Sequence, residues 1–290
     1  MDEVQLNTLY IVTEGAFLRR DGQTVVVEVE GTNVARVPLH MVDSIACFGR
    51  VMVSPQLMES CAESQIAMNF LSANGRLLAR VEAPGAGGML LRRHHYHRAD
   101  DPGFCLALAK SVVAGKIQNA RYSLLRSARD LEESPATAQL RRAADQLGES
   151  IDALATASTL DVTRGIEGDA ARLYFENFAA MTPTAPEPLR YIRRSRRPPL
   201  DPVNSLLSLF YSILTNDCVA ALGAAGLDPG LGFLHEARPG RPSLALDLVE
   251  EFRAYLVDRF VITLINRKQV NPDDFQTRPG GAVELKDAAR

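Results

Sequence analysis

The chain has 290 residues, 46% of them hydrophobic and 23% charged, which allows two ordinary domains with real cores and argues against a disordered or fibrous chain. A net charge of −3 does not by itself point to a nucleic-acid partner, and no apolar run approaches the roughly 20 residues of a membrane span. The acidic start Met1-Asp2-Glu3-Val4-Gln5 lacks the basic and apolar segments of a secretory signal, so the expected compartment is the cytoplasm.

Residues 7 to about 82 alternate with period two. Strands are predicted over 8–12, 24–29 and 34–39, where β-branched and aromatic residues concentrate. Asp21-Gly22 and Gly31-Thr32-Asn33 supply turns. Ser54-Pro55 reads as an N-cap with proline in the first helical position, opening a short helix to about residue 65. Residues 66–70 and the stretch after Gly75 return to strand. Pro84-Gly85-Ala86-Gly87-Gly88 is the clearest linker.

Beyond it, period 3.6 takes over. Helices are predicted near 101–131, 135–157, 165–180, 201–224 and 243–267, with Asp201-Pro202 opening the fourth and Ser243 capping the fifth. Pro279-Gly280-Gly281 indicates a hairpin. The expected fold class is α+β: a β-rich domain over 1–83, a linker over 84–98 and a mainly α-helical domain over 99–290. Cys47, Cys61, Cys105 and Cys218 have no metal-ligand spacing and read as reduced core thiols.

The informative residues are carboxylates on faces that should be apolar. In Gly165-Ile166-Glu167-Gly168-Asp169-Ala170-Ala171, stepping back from Ala170, Ala171, Tyr174 and Phe178 places Glu167 on the core face. An inward charge costs several kcal/mol, in order of magnitude, unless it is paired or metal-bound. A first-turn Glu serving the helix dipole is an equally good reading. The flanking glycines suit something large approaching the backbone.

Further along, His235 follows Gly232-Phe233-Leu234, and Asp247 and Glu250 share one face of the last long helix with Ala254 and Val257. A lone histidine beside apolar residues is ordinarily a satisfied core histidine, and an acidic pair is ordinarily solvated. Together with an inward Glu167 they favour a mixed carboxylate and imidazole site suited to Mg²⁺ or Mn²⁺. Glu236 is a weaker candidate.

Arg193, Arg194, Arg196 and Arg197, held among prolines, favour phosphate contacts over a merely solvated loop, with Arg238 and Arg241 as a second basic pair. His94, His95 and His97 read as a basic interdomain surface rather than a metal site. No phosphate-binding glycine loop of the GxxxxGK[ST] or GxGxxG kind is present.

Three stretches taken in order resemble the family of CRISPR-associated adaptation integrases, metal-dependent endonucleases that insert new spacers into CRISPR arrays, in particular the type I-C branch. They are Gly165-Ile166-Glu167-Gly168 with Tyr174-Phe175, Arg196-Arg197-Pro198-Pro199 through Asn204 and Tyr211, and Gly232-Phe233-Leu234-His235 through Glu250 and Phe252-Arg253. The resemblance implies that Glu167, His235 and Glu250 are metal ligands, that Asp247 is a neighbouring acidic residue of the active site, and that Arg253 is its basic residue. It implies a homodimer through the β-rich domain, double-stranded DNA as substrate, a small ferredoxin-like companion subunit and further helical sequence beyond Arg290. The expected chemistry is phosphodiester transesterification or hydrolysis. The rival readings are a helical phosphodiesterase acting on small phosphate esters and a non-catalytic DNA-binding scaffold.

Overall fold

A computed structural model describes residues 8–72, 75, 77–81, 88–286 and 289. Contacts divide the chain into two compact units, Met1–Arg93 with Val219–Asp228, and His94–Cys218 with Pro229–Arg290.

The first unit holds the β-structure in two four-stranded sheets. One has the order β1 (Thr8–Ile11), β5 (Ser44–Phe48), β7 (Ala67–Leu71), β8 (Leu77–Val81), with β1–β5 and β5–β7 parallel. The other runs β4 (Thr32–Pro38), β3 (Thr24–Val29), β2 (Phe17–Asp21), β6 (Met52–Val53), where β2, β3 and β4 form an antiparallel meander. Gly22 and Gly31 turn the chain at φ +62° and +77°, values a side chain would resist. Helix α1 (Pro55–Glu63) begins as its sequence predicts, with the Ser54 side chain accepting from Leu57 N and Pro55 in the first turn. Leu18, Val25, Ile45, Leu57 and Met68 close the core.

The predicted linker divides. Pro84 to Gly87 lie outside the described residues, while α2 (Met89–Ala99) is helical where linker is expected. His95 is buried rather than part of a basic surface: its Nε2 lies 2.8 Å from the Leu231 carbonyl and its ring 5.4 Å from that of Phe233.

The second unit is built on α3 (Pro102–Asp130), about 43 Å long at the usual helical rise. Asp101 caps it by accepting from Gly103 N and Phe104 N. Its buried residues Cys105, Ala109, Val113, Ile117, Ala120 and Leu124 recur every three or four positions, the spacing of one helix face. Helix α4 (Pro135–Thr156) packs along that face, and Ser134 with Thr137 forms a reciprocal cap at its start. Helix α5 (Leu160–Glu176) begins five residues before the predicted start because Thr159 caps it. Glu167 is therefore a mid-helix residue, and the first-turn reading is excluded.

Helix α6 (Pro202–Ala224) is long and apolar enough to pass a length-and-composition test for a membrane span, at mean hydropathy 1.4, which the sequence reading does not anticipate. Its Val203, Leu206, Leu207 and Tyr211 belong to the core of the second unit. The helix predicted over 243–267 is broken: α7 (Ser243–Phe252) passes into a π-helical turn, Arg253–Asp258, before α8 (Arg259–Asn266). Ser243 is not a cap, for its hydroxyl donates to the Glu236 carbonyl. The expected hairpin forms from β9 (Phe275–Thr277) and β10 (Val283–Leu285). All four cysteines are buried and unpaired, and burial raises the thiols of Cys47 and Cys218 to about 12.

Candidate active site

One side of the site is α5. Its buried stripe of Ala170 and Tyr174 continues back to Glu167, whose side chain is partly covered. Gly165 and Gly168 flank it, and a Cβ added at either would meet no other protein atom within 4 Å. The small residues thus leave open space beside the carboxylate.

The opposite side comes from α7, which buries both Asp247 and Glu250. Asp247 has all its accepting capacity engaged. Its Oδ2 accepts from Phe233 N at 2.6 Å and Leu234 N at 3.0 Å, and its Oδ1 from His235 N at 2.9 Å and His235 Nδ1 at 2.7 Å. This carboxylate folds the loop that carries His235 and fixes the ring through one nitrogen, leaving Nε2 for other work. Asp247 is thus the organiser of the histidine loop and not a free acid of the site. Gly232 permits the arrangement, because a Cβ there would stand 2.8 Å from Asp247 Oδ2 and 2.9 Å from the His235 carbonyl oxygen. Arg164 ties the loop to α5 by donating through Nε and Nη2 to the Leu234 carbonyl at 3.0 and 2.7 Å.

Between the two sides sits a residue that sequence reasoning missed. Lys116, on the α3 face that carries Ile117 and Ala120, pairs its ammonium with Glu167 Oε1 and with Glu250 Oε2, the latter at 2.6 Å. A signal was present, since Lys116 lies four residues from both Val112 and Ala120 and so shares their helix face. Arg253 closes the group: its Nε lies 3.5 Å from Glu250 Oε1, and its guanidinium stacks over the Tyr211 ring at 4.7 Å. Arg253 is the first residue of the π-helical turn that follows α7.

The charges are strongly coupled. Burial pushes the Glu250 carboxyl up, but Lys116 and Arg253 outweigh it and hold the group ionised, at about 2. Burial opposes the charge on Arg253, and Glu250 together with Tyr211 and Asp258 more than restores it. Behind them Asp258, fully buried and accepting from the Tyr211 hydroxyl, is raised to about 6 by desolvation. Arg253 Nε has no aligned hydrogen-bond partner, so its contact with Glu250 is ionic rather than hydrogen-bonded.

Two of the expected ligands meet at a cation of the chain itself: Glu167 and Glu250 converge on Lys116, and His235 is hydrogen-bonded through Nδ1 to Asp247. Among the described residues no group of three His, Cys, Asp or Glu side chains is arranged to hold a metal. The donor chemistry nonetheless fits a hard divalent ion: two carboxylates already share one positive charge, and an imidazole is oriented through Nδ1 by Asp247.

A cleft adjoins this group, lined by Lys116, Ala170, Ala171, Phe175, Arg196 and Arg253 among others. Of the predicted phosphate-binding arginines, Arg193, Arg196 and Arg197 are exposed. Arg194 is engaged internally, donating to Ser195 O at 2.5 Å and Asn204 Oδ1 at 2.6 Å and lying over the Tyr211 ring at 5.5 Å. It braces the loop instead of projecting from it. Arg238 is exposed but pairs with Glu236 at 3.2 Å, and Arg241 is partly covered.

Comparison with known proteins identifies the family. A similar solved structure, a CAS1 protein from Thermotoga maritima, superposes with a TM-score of 0.83 at 25% identity, covering 98% of this chain and 86% of that one. A chain of a Cas6-RT-Cas1–Cas2 complex gives a TM-score of 0.80 at 26% identity, covering all of this chain and 31% of its own length. The CRISPR-associated endonuclease Cas1 1 of Chlorobaculum tepidum is 46% identical over 286 residues, which is 98% of this chain and 83% of the relative. Since the family model for CRISPR associated protein Cas1 matches residues 9–290, the chain belongs to the Cas1 family.

Proposed function

We propose that this chain is a metal-dependent DNA endonuclease and integrase that joins spacer DNA to CRISPR arrays by phosphodiester transesterification. The observation that carries the reading is the ionised, buried Glu250 sharing the Lys116 ammonium with Glu167, with Lys116 also lining a cleft together with Arg196 and Arg253. Cas1 relatives named as endonucleases support it.

In this reading Glu167, Glu250 and the Nε2 of His235 would hold Mg²⁺ or Mn²⁺. Such an ion, when bound, polarises the scissile phosphodiester and stabilises charge on the pentacoordinate phosphorus. Asp247 keeps the His235 ring oriented through Nδ1. Arg253 presents positive charge to the phosphate from beside Glu250, and Arg196 and Arg197 hold the DNA backbone without reading bases. The attacking group is a DNA 3′-hydroxyl for joining or water for cleavage, so no residue forms a covalent link to DNA.

The working assembly is a cytoplasmic homodimer formed through residues 1–83, joined by the 84–98 segment to the catalytic residues 99–290. A small ferredoxin-like companion bridges such dimers, a reading supported by the similarity to a chain of a Cas1–Cas2 complex. The type I-C branch is the best placement within the family. The test is strand transfer into supercoiled plasmid with Mn²⁺: transfer that survives EDTA, or a chain sedimenting as a monomer at micromolar concentration, would overturn the metal or the dimer reading respectively.

A further inference from the structure

We propose that Lys116 is a built-in place-holder cation, which neutralises Glu167 and Glu250 in the metal-free site and is displaced into the adjoining cleft when a divalent ion binds. The inference rests on the reading that these two carboxylates hold the metal.

Two facing carboxylates in a partly dry site repel each other unless a cation lies between them. Lys116 and Arg253 bring the charge of the group to zero without any ion. Lys116 occupies the shared position: its ammonium touches one oxygen of each carboxylate and is almost covered. A divalent ion takes carboxylate oxygens at about 2.0–2.6 Å, which would put it against an ammonium standing 2.6 Å from Glu250 Oε2. Both cations cannot use the same oxygens, so one must leave.

The molecule provides for that departure. Lys116 forms part of the wall of the cleft, alongside the small residues Ala170 and Ala171. Its ammonium is on a flexible stem and, among the described residues, has no hydrogen bond to a backbone carbonyl to hold it in place. Arg253, by contrast, is fixed by its stack on Tyr211 and remains. Metal binding is therefore an exchange, and a weakly held cation will not displace the lysine.

The experiment measures Mn²⁺ binding to the full chain by titration calorimetry, with thermal melts of the metal-free and metal-saturated protein. Lys116→Met should bind Mn²⁺ at least about tenfold tighter, since no charge-assisted pair has to be broken first. Its metal-free form should melt below the unsubstituted protein and its Mn²⁺-saturated form level with it. Unchanged or weaker binding, or an equal loss of melting temperature with and without Mn²⁺, would mean that Lys116 merely supports the site in both states.

Should the variant not fold, amine-reactive labelling of the unsubstituted chain decides the matter. Modification of Lys116 should rise on adding Mn²⁺ while that of exposed Lys268 stays constant; continued protection of Lys116 refutes the displacement. Absence of Mn²⁺ binding in the unsubstituted protein, or equal binding by Glu167→Ala, would instead overturn the metal assignment itself.

Discussion

Replacing Asp247 by Asn tests how the histidine is held. The carboxylate now accepts three backbone amides and the His235 ring, two donors on each oxygen. An asparagine keeps one acceptor. If that oxygen stays on His235, its NH₂ group faces the N–H groups of Phe233 and Leu234 and leaves two buried donors unsatisfied. At about 1–3 kcal/mol each the loss is about 2–6 kcal/mol. For a cooperative unit of this size, about 2–4 °C per kcal/mol makes the melting temperature fall by at least about 4 °C. With the ring no longer fixed through Nδ1, Mn²⁺ affinity should drop about 10–100-fold, the usual effect of losing an outer partner of a metal-bound histidine. Scanning calorimetry and Mn²⁺ titration on the same preparation read both quantities. A variant that melts within a degree of the unsubstituted protein and binds Mn²⁺ equally well would refute the organising role assigned to Asp247.

Gly232→Ala should damage the same loop from the other side, lowering both melting temperature and strand transfer, because the new Cβ collides with Asp247 Oδ2; near-normal transfer would show that the loop can relax. Asp258 gives a pH signature. Its folded value of about 6 lies above the ordinary 3.8, so the native state binds the extra proton, and stability present below about pH 4 is lost as pH rises through 6. The loss is about 3 kcal/mol, and Asp258→Asn should remove this dependence in melts between pH 4 and 7; an unchanged pH profile would contradict it. Changing Arg196 and Arg197 together to Ala should weaken duplex binding at every sequence and reduce the log–log salt slope by about 1.8, which binding isotherms at several salt concentrations will show.

The two carboxylates that meet at Lys116 were legible because a charge on an apolar stripe is conspicuous: Glu250 is buried and Glu167 partly covered. The role of Asp247 was not, because helical spacing reports which face a side chain occupies and not which backbone amides a distant loop will bring to it. Lys116 escaped for a related reason: one of several basic residues within a 29-residue helix looks solvated until its partners, 51 and 134 positions away, are known to meet it. The β-rich half was clear where strands alternate. It was obscure at β5, an interior strand buried along nearly its whole length, and at β2, which carries Arg19 and Arg20. The break at Arg253–Asp258 was hidden because a π-turn leaves the apolar pattern almost in phase.

The most direct test of the account sets Glu167→Ala beside the unsubstituted protein in two assays, duplex binding and Mn²⁺-dependent transfer of a DNA 3′-end into supercoiled plasmid. The account predicts that cleavage and transfer vanish while duplex binding is retained or strengthened, since a negative charge near the phosphate has gone. Parallel loss of binding and activity in a variant whose melt shows an intact fold would mean that Glu167 positions DNA and holds no catalytic metal.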